Sequence, residues 1–161
     1  IPMELSGPRC VCGSYGCLEV LAAGPAIAAH AAEAIPDRQS SLSTHEVLLL
    51  AAEGHPVARE VVRRAFGYLA RAVYLLVMAY DVERVVIGGG VSRAGDAFEF
   101  PLREALASMR ADSALVSSMM PDEKIIISPP DFNAGVMGAV YLAPVPKPED
   151  RQEVYDKRHE G

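Results

Sequence analysis

The chain has 161 residues, half of them hydrophobic and 22% charged, which suffices for one domain with its own core and excludes a disordered chain. Fifteen basic against 21 acidic residues leave a formal charge of −6. That balance, with no run of Lys and Arg, speaks against a general nucleic-acid binder. The longest apolar stretch, around Ala70 to Ala79, contains Arg71 and falls short of the roughly 18–20 residues that span a bilayer. No leader pattern opens the chain, so no membrane partner and a cytoplasmic location are expected. The first residue is Ile1 rather than Met, as in a fragment or a processed chain.

In chain order, residues 1–9 read as irregular, with Pro2, Gly7 and Pro8, and a cysteine loop follows. Leu18 to Ala23 reads as a short helical turn. Gly24-Pro25 breaks it, and Pro25 suits the start of a second helix that ends before Pro36. Residues 36–43 form a polar loop. Ser43 and Glu46 have capping-box spacing ahead of an apolar run, so a helix to about Glu53 is expected, closed by Gly54. Pro56 opens the longest helix. Val57, Val61, Val62, Ala65, Phe66, Leu69, Ala72, Val73, Leu76, Val77 and Tyr80 recur along it at three- and four-residue steps. Val61, Phe66, Leu69, Val73 and Leu76 are the expected buried face, and Arg59, Glu60, Arg63 and Arg64 the solvated one.

Arg84 to Ile87 is a short β-branched run, expected as a buried strand. Gly88-Gly89-Gly90 follows at once, then a helix from about Asp96 to Arg110. Lys124 to Ser128 reads as a second strand of the same sheet, with the helix crossing between them. Asn133 to Leu142 reads as a helix with a small-residue face, Ala134, Gly135, Gly138 and Ala139, fit for close packing. From Ala143 the chain changes to alternating prolines and mixed charges, expected as an extended or flexible tail over 144–161.

Two features carry chemistry. All three cysteines, Cys10, Cys12 and Cys17, lie within eight residues. An odd count makes no secreted disulfide framework, and Cys10 and Cys12 are too close in sequence for a relaxed disulfide. Gly13 and Gly16 allow a tight loop that gathers the sulfurs. Thiolates bind zinc, and a structural site takes four ligands, so a fourth, often His, must come from elsewhere. A zinc site and three free thiols both remain open on this reading. The second feature is the triple glycine. Ligands of open α/β sheets settle at carboxyl ends of strands, and Gly88, Gly89 and Gly90 put no Cβ in the way of such an approach. A plain turn fits them as well.

The segment Gly7-Pro8-Arg9-Cys10-Val11-Cys12-Gly13-Ser14-Tyr15-Gly16-Cys17-Leu18-Glu19 resembles the zinc signature of the ROK family of repressors, open reading frames and sugar kinases, Cys-x-Cys-Gly-x-x-Gly-Cys-x-Glu, at every fixed position. Ala23-Gly24-Pro25-Ala26-Ile27 is similar to the helix start that follows in the kinases. Val85-Val86-Ile87-Gly88-Gly89-Gly90-Val91-Ser92 resembles the adenosine motif, and Ala134-Gly135-Val136-Met137-Gly138-Ala139 resembles the C-terminal helix.

The resemblance implies an α/β fold: part of the C-terminal domain of the actin-like, ribonuclease-H-like ATPase fold, over residues 1–143, with the zinc loop at 7–19 and the adenosine-like motif at 85–92. It implies structural zinc on Cys10, Cys12 and Cys17. It makes Glu19 a sugar-binding carboxylate, for which a helix-dipole role is the plainer alternative. It places ATP, with magnesium, at Gly88, Gly89 and Gly90. The Asp-x-Gly-Gly-Thr phosphate loop, the Asn-Asp pair with the general base and the Glu-x-Gly-His segment of the family have no match, so no residue here is expected to be catalytic. The implied activity is that of the C-terminal half of an ATP-dependent sugar kinase, glucokinase-like and acting on a hexose or N-acetyl-amino sugar, inactive without an N-terminal half. The implied assembly is a homo-oligomer. The alternative is the body of a sugar-sensing repressor, and nucleic acid is a partner only on that alternative.

Overall fold

A computed structural model describes residues 1–35, 42–129 and 131–143. The tail expected over 144–161 and most of the polar loop expected over 36–43 lie outside the described residues.

The first elements follow the sequence closely. Helix α1 (Leu18–Ala22) is a single turn, and α2 (Gly24–Ala34) starts on Gly24-Pro25. The expected capping box opens α3 (Thr44–Ala52): Ser43 Oγ accepts from the Glu46 amide while the Glu46 carboxylate reaches back to the Ser43 amide. Helix α4 (Pro56–Tyr80) begins with Pro56 in its first turn, and His55 Nδ1 caps it by accepting from the Ala58 amide. It ends where Asp81 turns left-handed at φ 46°.

Helix α4 is the axis of the molecule and packs against α1, α2, α3, α5 and α6. Its buried positions are Ala58, Val62, Ala65, Phe66, Ala70, Ala72, Val73 and Val77. Phe66 meets Phe98 of α5 (Asp96–Ala111) edge to face, ring centroids 5.1 Å apart. Ile27, Val47, Leu48, Leu102, Leu106 and Met120 are further large members of the core. Pro101 sits inside α5, where its ring removes one backbone donor. Helix α6 (Ala114–Met119), capped by Ser113, has no counterpart in the sequence reading.

Strands β1 (Val85–Ile87) and β2 (Ile125–Ile127) pair in parallel, Val85 opposite Ile125 and Ile87 opposite Ile127. Helices α5 and α6 lie between them in sequence, as the parallel pairing requires.

Three expectations are corrected. Leu76 does not join the core: it is 37% exposed, and Tyr80 73%, because the covered stripe of α4 runs through Val73 and Val77 instead. The first strand is covered on one face only. Val85 and Ile87 pack on the core, but Val86 is 66% exposed, since a two-stranded sheet with helices on one side leaves the other bare. Helix α7 (Ala134–Leu142) has no buried residue, and among the described residues nothing lies within 4 Å of a Cβ added at Gly138.

Candidate metal centre and glycine turn

The cysteine loop is folded by backbone bonds. Cys10 N–H donates to Ser14 O at 2.8 Å, Gly13 N–H to Cys10 O at 3.0 Å and Gly16 N–H to Pro8 O at 2.8 Å. The preceding segment clasps it from outside, with Met3 and Glu4 amides donating to Gly16 O at 2.7 and 3.2 Å. Gly16 is required twice over. Its φ is +57°, and an added Cβ would lie 2.2 Å from the Glu4 carbonyl oxygen. Gly13 has φ +89°, with nothing within 4 Å of an added Cβ.

This fold gathers the three expected thiols. The Sγ atoms of Cys10, Cys12 and Cys17 all lie within 4.8 Å of one another, and Cys12 Sγ is 3.5 Å from Cys17 Sγ. All three are free thiols, Cys10 and Cys17 buried and Cys12 exposed. The Ser14 backbone N–H holds the Cys12 thiol below its ordinary pKa, aided by hydrogen bonds from Cys10 and Cys17. Burial pushes the Cys17 thiol up to about 11. Thiolates 2.3 Å from a tetrahedral zinc lie about 3.8 Å from each other, so these sulfurs need little movement to share one ion. Among the described residues no fourth ligand joins them. His30 and His45 lie on α2 and α3, and His55 is the α4 cap.

Cys17 is the N-cap of α1, and Glu19 follows in its first turn. The Glu19 side chain is exposed and has no hydrogen-bond or ion-pair partner among the described residues. The helix has only 5 residues, so the dipole alternative rests on a single turn.

The glycine turn lies at the paired carboxyl ends of β1 and β2. Ser128 N–H donates to Ile87 O at 2.8 Å, which brings Gly88 beside Ser128, and a Cβ on Gly88 would come 3.3 Å from Ser128 Cβ. Gly89 has φ +115°, and among the described residues neither it nor Gly90 has an atom within 4 Å of an added Cβ. Ser92 Oγ donates to Gly89 O at 2.9 Å and fixes the turn from beneath. An apolar recess of about 170 Å³ opens beside it, lined by Phe66, Leu69, Ile87, Gly88, Gly90 and Val91, among others.

Two supports escaped the sequence reading. Gly24 is buried, an added Cβ there would lie 3.1 Å from both Thr44 Oγ1 and Val91 Cγ2, and Thr44 Oγ1 donates to Gly24 O at 2.7 Å. This ties α2, α3 and the glycine turn together. The other is Glu4, which accepts from Tyr68. Neither pair has a local signal, since the partners lie 20 and 64 residues apart.

The model of the ROK family matches residues 1–145. A glucokinase of Thermotoga maritima is 31% identical over 153 residues, covering 88% of this chain and 47% of the relative. An N-acetylmannosamine kinase of Salmonella arizonae is 38% identical over 88 residues, covering 55% of this chain and 29% of the relative. Among solved structures, a ROK family glucokinase from Streptomyces griseus in complex with glucose and AMPPNP superposes with TM-score 0.72 at 25% identity, covering 89% of this chain and 49% of that one. A ROK family transcriptional regulator, a homolog of the E. coli MLC protein, superposes with TM-score 0.64 at 24% identity over 84% of this chain and 34% of that one, a likeness of fold. The chain spans about half, or less, of the length of these proteins.

Proposed function

The chain belongs to the ROK family, and on that premise we propose that it forms the C-terminal half of an ATP-dependent kinase of a hexose or N-acetyl-amino sugar, working in the cytoplasm. Its 31% identity to a glucokinase across 88% of the chain supports the sugar-kinase reading. The observation that carries it is the glycine turn. Parallel strands deliver Gly88, Gly89 and Gly90 at their carboxyl ends, with open space where Cβ atoms of Gly89 and Gly90 would stand, so a nucleoside can lie on bare backbone.

In this reading Glu19 binds the sugar. A carboxylate accepts two hydroxyl donors at once, and this one is unpartnered and held on α1 directly after the cysteine loop. Cys10, Cys12 and Cys17 hold a structural zinc with one ligand from outside residues 1–161; the ion would cross-link the loop that aims α1. Phosphoryl transfer is positioning and charge stabilisation around magnesium-bound ATP. The phosphate loop and the base that takes the hydroxyl proton come from outside this chain. Asp81 caps α4 and Asp131 is exposed in a turn, and neither is assigned a catalytic part.

The test is the full polypeptide containing residues 1–161, given magnesium, ATP and either glucose or N-acetylmannosamine. Formation of ADP and sugar phosphate in step supports the reading, with residues 1–161 alone inactive. A full polypeptide that binds sugar but turns over no hexose with magnesium-ATP moves the reading to a sugar-sensing regulator.

A further inference from the structure

The cysteine loop also holds the parts of a thiol oxidation site. We propose that Cys12 is the thiol attacked by peroxide and Cys17 its resolving partner, the two joining in a reversible disulfide when no metal occupies the loop. The inference goes beyond the kinase reading and stands on the thiols alone.

Accessibility selects the attacked sulfur. Cys12 is exposed, whereas Cys10 and Cys17 are 6% and 3% exposed. An oxidant from solvent therefore meets Cys12 first. Distance selects the partner. Cys12 Sγ and Cys17 Sγ are already 3.5 Å apart, against the roughly 2.05 Å of a disulfide. Cys10 is a poor competitor, since one residue separates it from Cys12 and its backbone is held at both N–H and C=O, to Ser14 and Gly13. The loop can also close the remaining gap. The Cys12 side chain stands exposed and free to turn, while Gly16, next to Cys17, is clamped against Glu4. Cys12 is thus the movable sulfur and Cys17 the fixed one.

The chemistry balances with hydrogen peroxide as the oxidant. The Cys12 thiolate attacks one peroxide oxygen; an S–O bond forms, the O–O bond breaks, and hydroxide leaves to become water. The Cys17 sulfur then attacks the Cys12 sulfenic sulfur; the S–S bond forms, the S–O bond breaks, and the hydroxyl leaves with the Cys17 thiol proton as a second water. Two thiols lose two electrons and one peroxide gains them. Thiols bound to a metal are withheld from both steps, so metal occupancy and disulfide exclude each other.

The experiment uses the full polypeptide, stripped of metal by a chelator and treated with hydrogen peroxide. Remaining thiols are alkylated and located by tandem mass spectrometry. The expected result is loss of alkylation at Cys12 and Cys17 with Cys10 still labelled, and return of all three labels after dithiothreitol. In Cys17→Ser, Cys12 should stop at the sulfenic acid and be trapped by dimedone. A disulfide that includes Cys10, a cross-link between two chains, or Cys12 driven to sulfinic acid in the unsubstituted protein overturns the proposal. A parallel sample loaded with zinc, its bound zinc counted before peroxide, separates the two readings: no bound zinc removes the metal assignment and leaves this one, and disulfide formed in a sample that carries zinc overturns the exclusion.

Discussion

Tyr68, midway along α4, donates its hydroxyl hydrogen to the Glu4 carboxylate and so fastens the start of the chain to the longest helix. Arg64 adds to the contact, 3.7 Å from the same carboxylate and stacked 5.9 Å over the Tyr68 ring. Because Met3 and Glu4 also clasp Gly16, the helix steadies the cysteine loop through two intermediaries. Tyr68→Phe should lower stability by about 1 kcal/mol. It should also speed exchange of the Met3 and Glu4 amides, which hydrogen-exchange measurement reads directly. Unchanged protection of both amides would show that the loop stands without this bond.

Periodicity puts Phe66 and Leu76 on one buried face, and the structure separates them. Phe66 is 1% exposed and packed on Phe98; Leu76 is 37% exposed. Phe66→Ala should therefore cost about 3–5 kcal/mol. Leu69→Ala, at a half-buried site, should cost less, and Leu76→Ala least of the three. Urea unfolding midpoints of these variants give the order.

The two loop glycines should respond differently to the same change. Gly13→Ala puts a Cβ into open space and costs about 1 kcal/mol of backbone strain. Gly16→Ala drives a Cβ into the Glu4 carbonyl and should cost clearly more, because that backbone cannot retreat without breaking its bonds to Gly16. Thermal unfolding compares the pair; equal losses would mean that the Glu4 segment is not clamped on the loop.

On the metal reading, the full polypeptide under reducing conditions should carry about one zinc per chain by elemental analysis. Cys12→Ser should lose it. Since Cys12 is exposed and contributes nothing to the core, that variant should keep its helical circular dichroism. Metal-free protein from the unsubstituted sequence would leave the cluster as three thiols.

The two ligand assignments should separate kinetically. Glu19→Gln should raise the KM for sugar more than that for ATP, and Gly89→Val should do the reverse by closing the open space at the glycine turn. Equal effects of both substitutions on both constants would put the sites elsewhere.

The sequence by itself determined much of what rests on near neighbours, though not α6 with its Ser113 cap. The capping box at Ser43 and Glu46, the proline start of α4 and the β-branched runs that became β1 and β2 are local preferences of the backbone. The spacing of Cys10, Cys12 and Cys17, with glycines between, was enough to foresee that the three sulfurs gather, because a tight loop leaves them few other places to go. Tertiary structure alone decided which apolar residues are covered. Periodicity marks a face but not which part of it a neighbour covers, so Leu76, Val86 and the small residues of α7 read as packed and are partly or fully exposed. It also decided the long-range supports. Glu4 on Tyr68, and Gly24 beneath Thr44 and Val91, are contacts between segments distant in the chain, and they exist only because packing around α4 brings their backbones together.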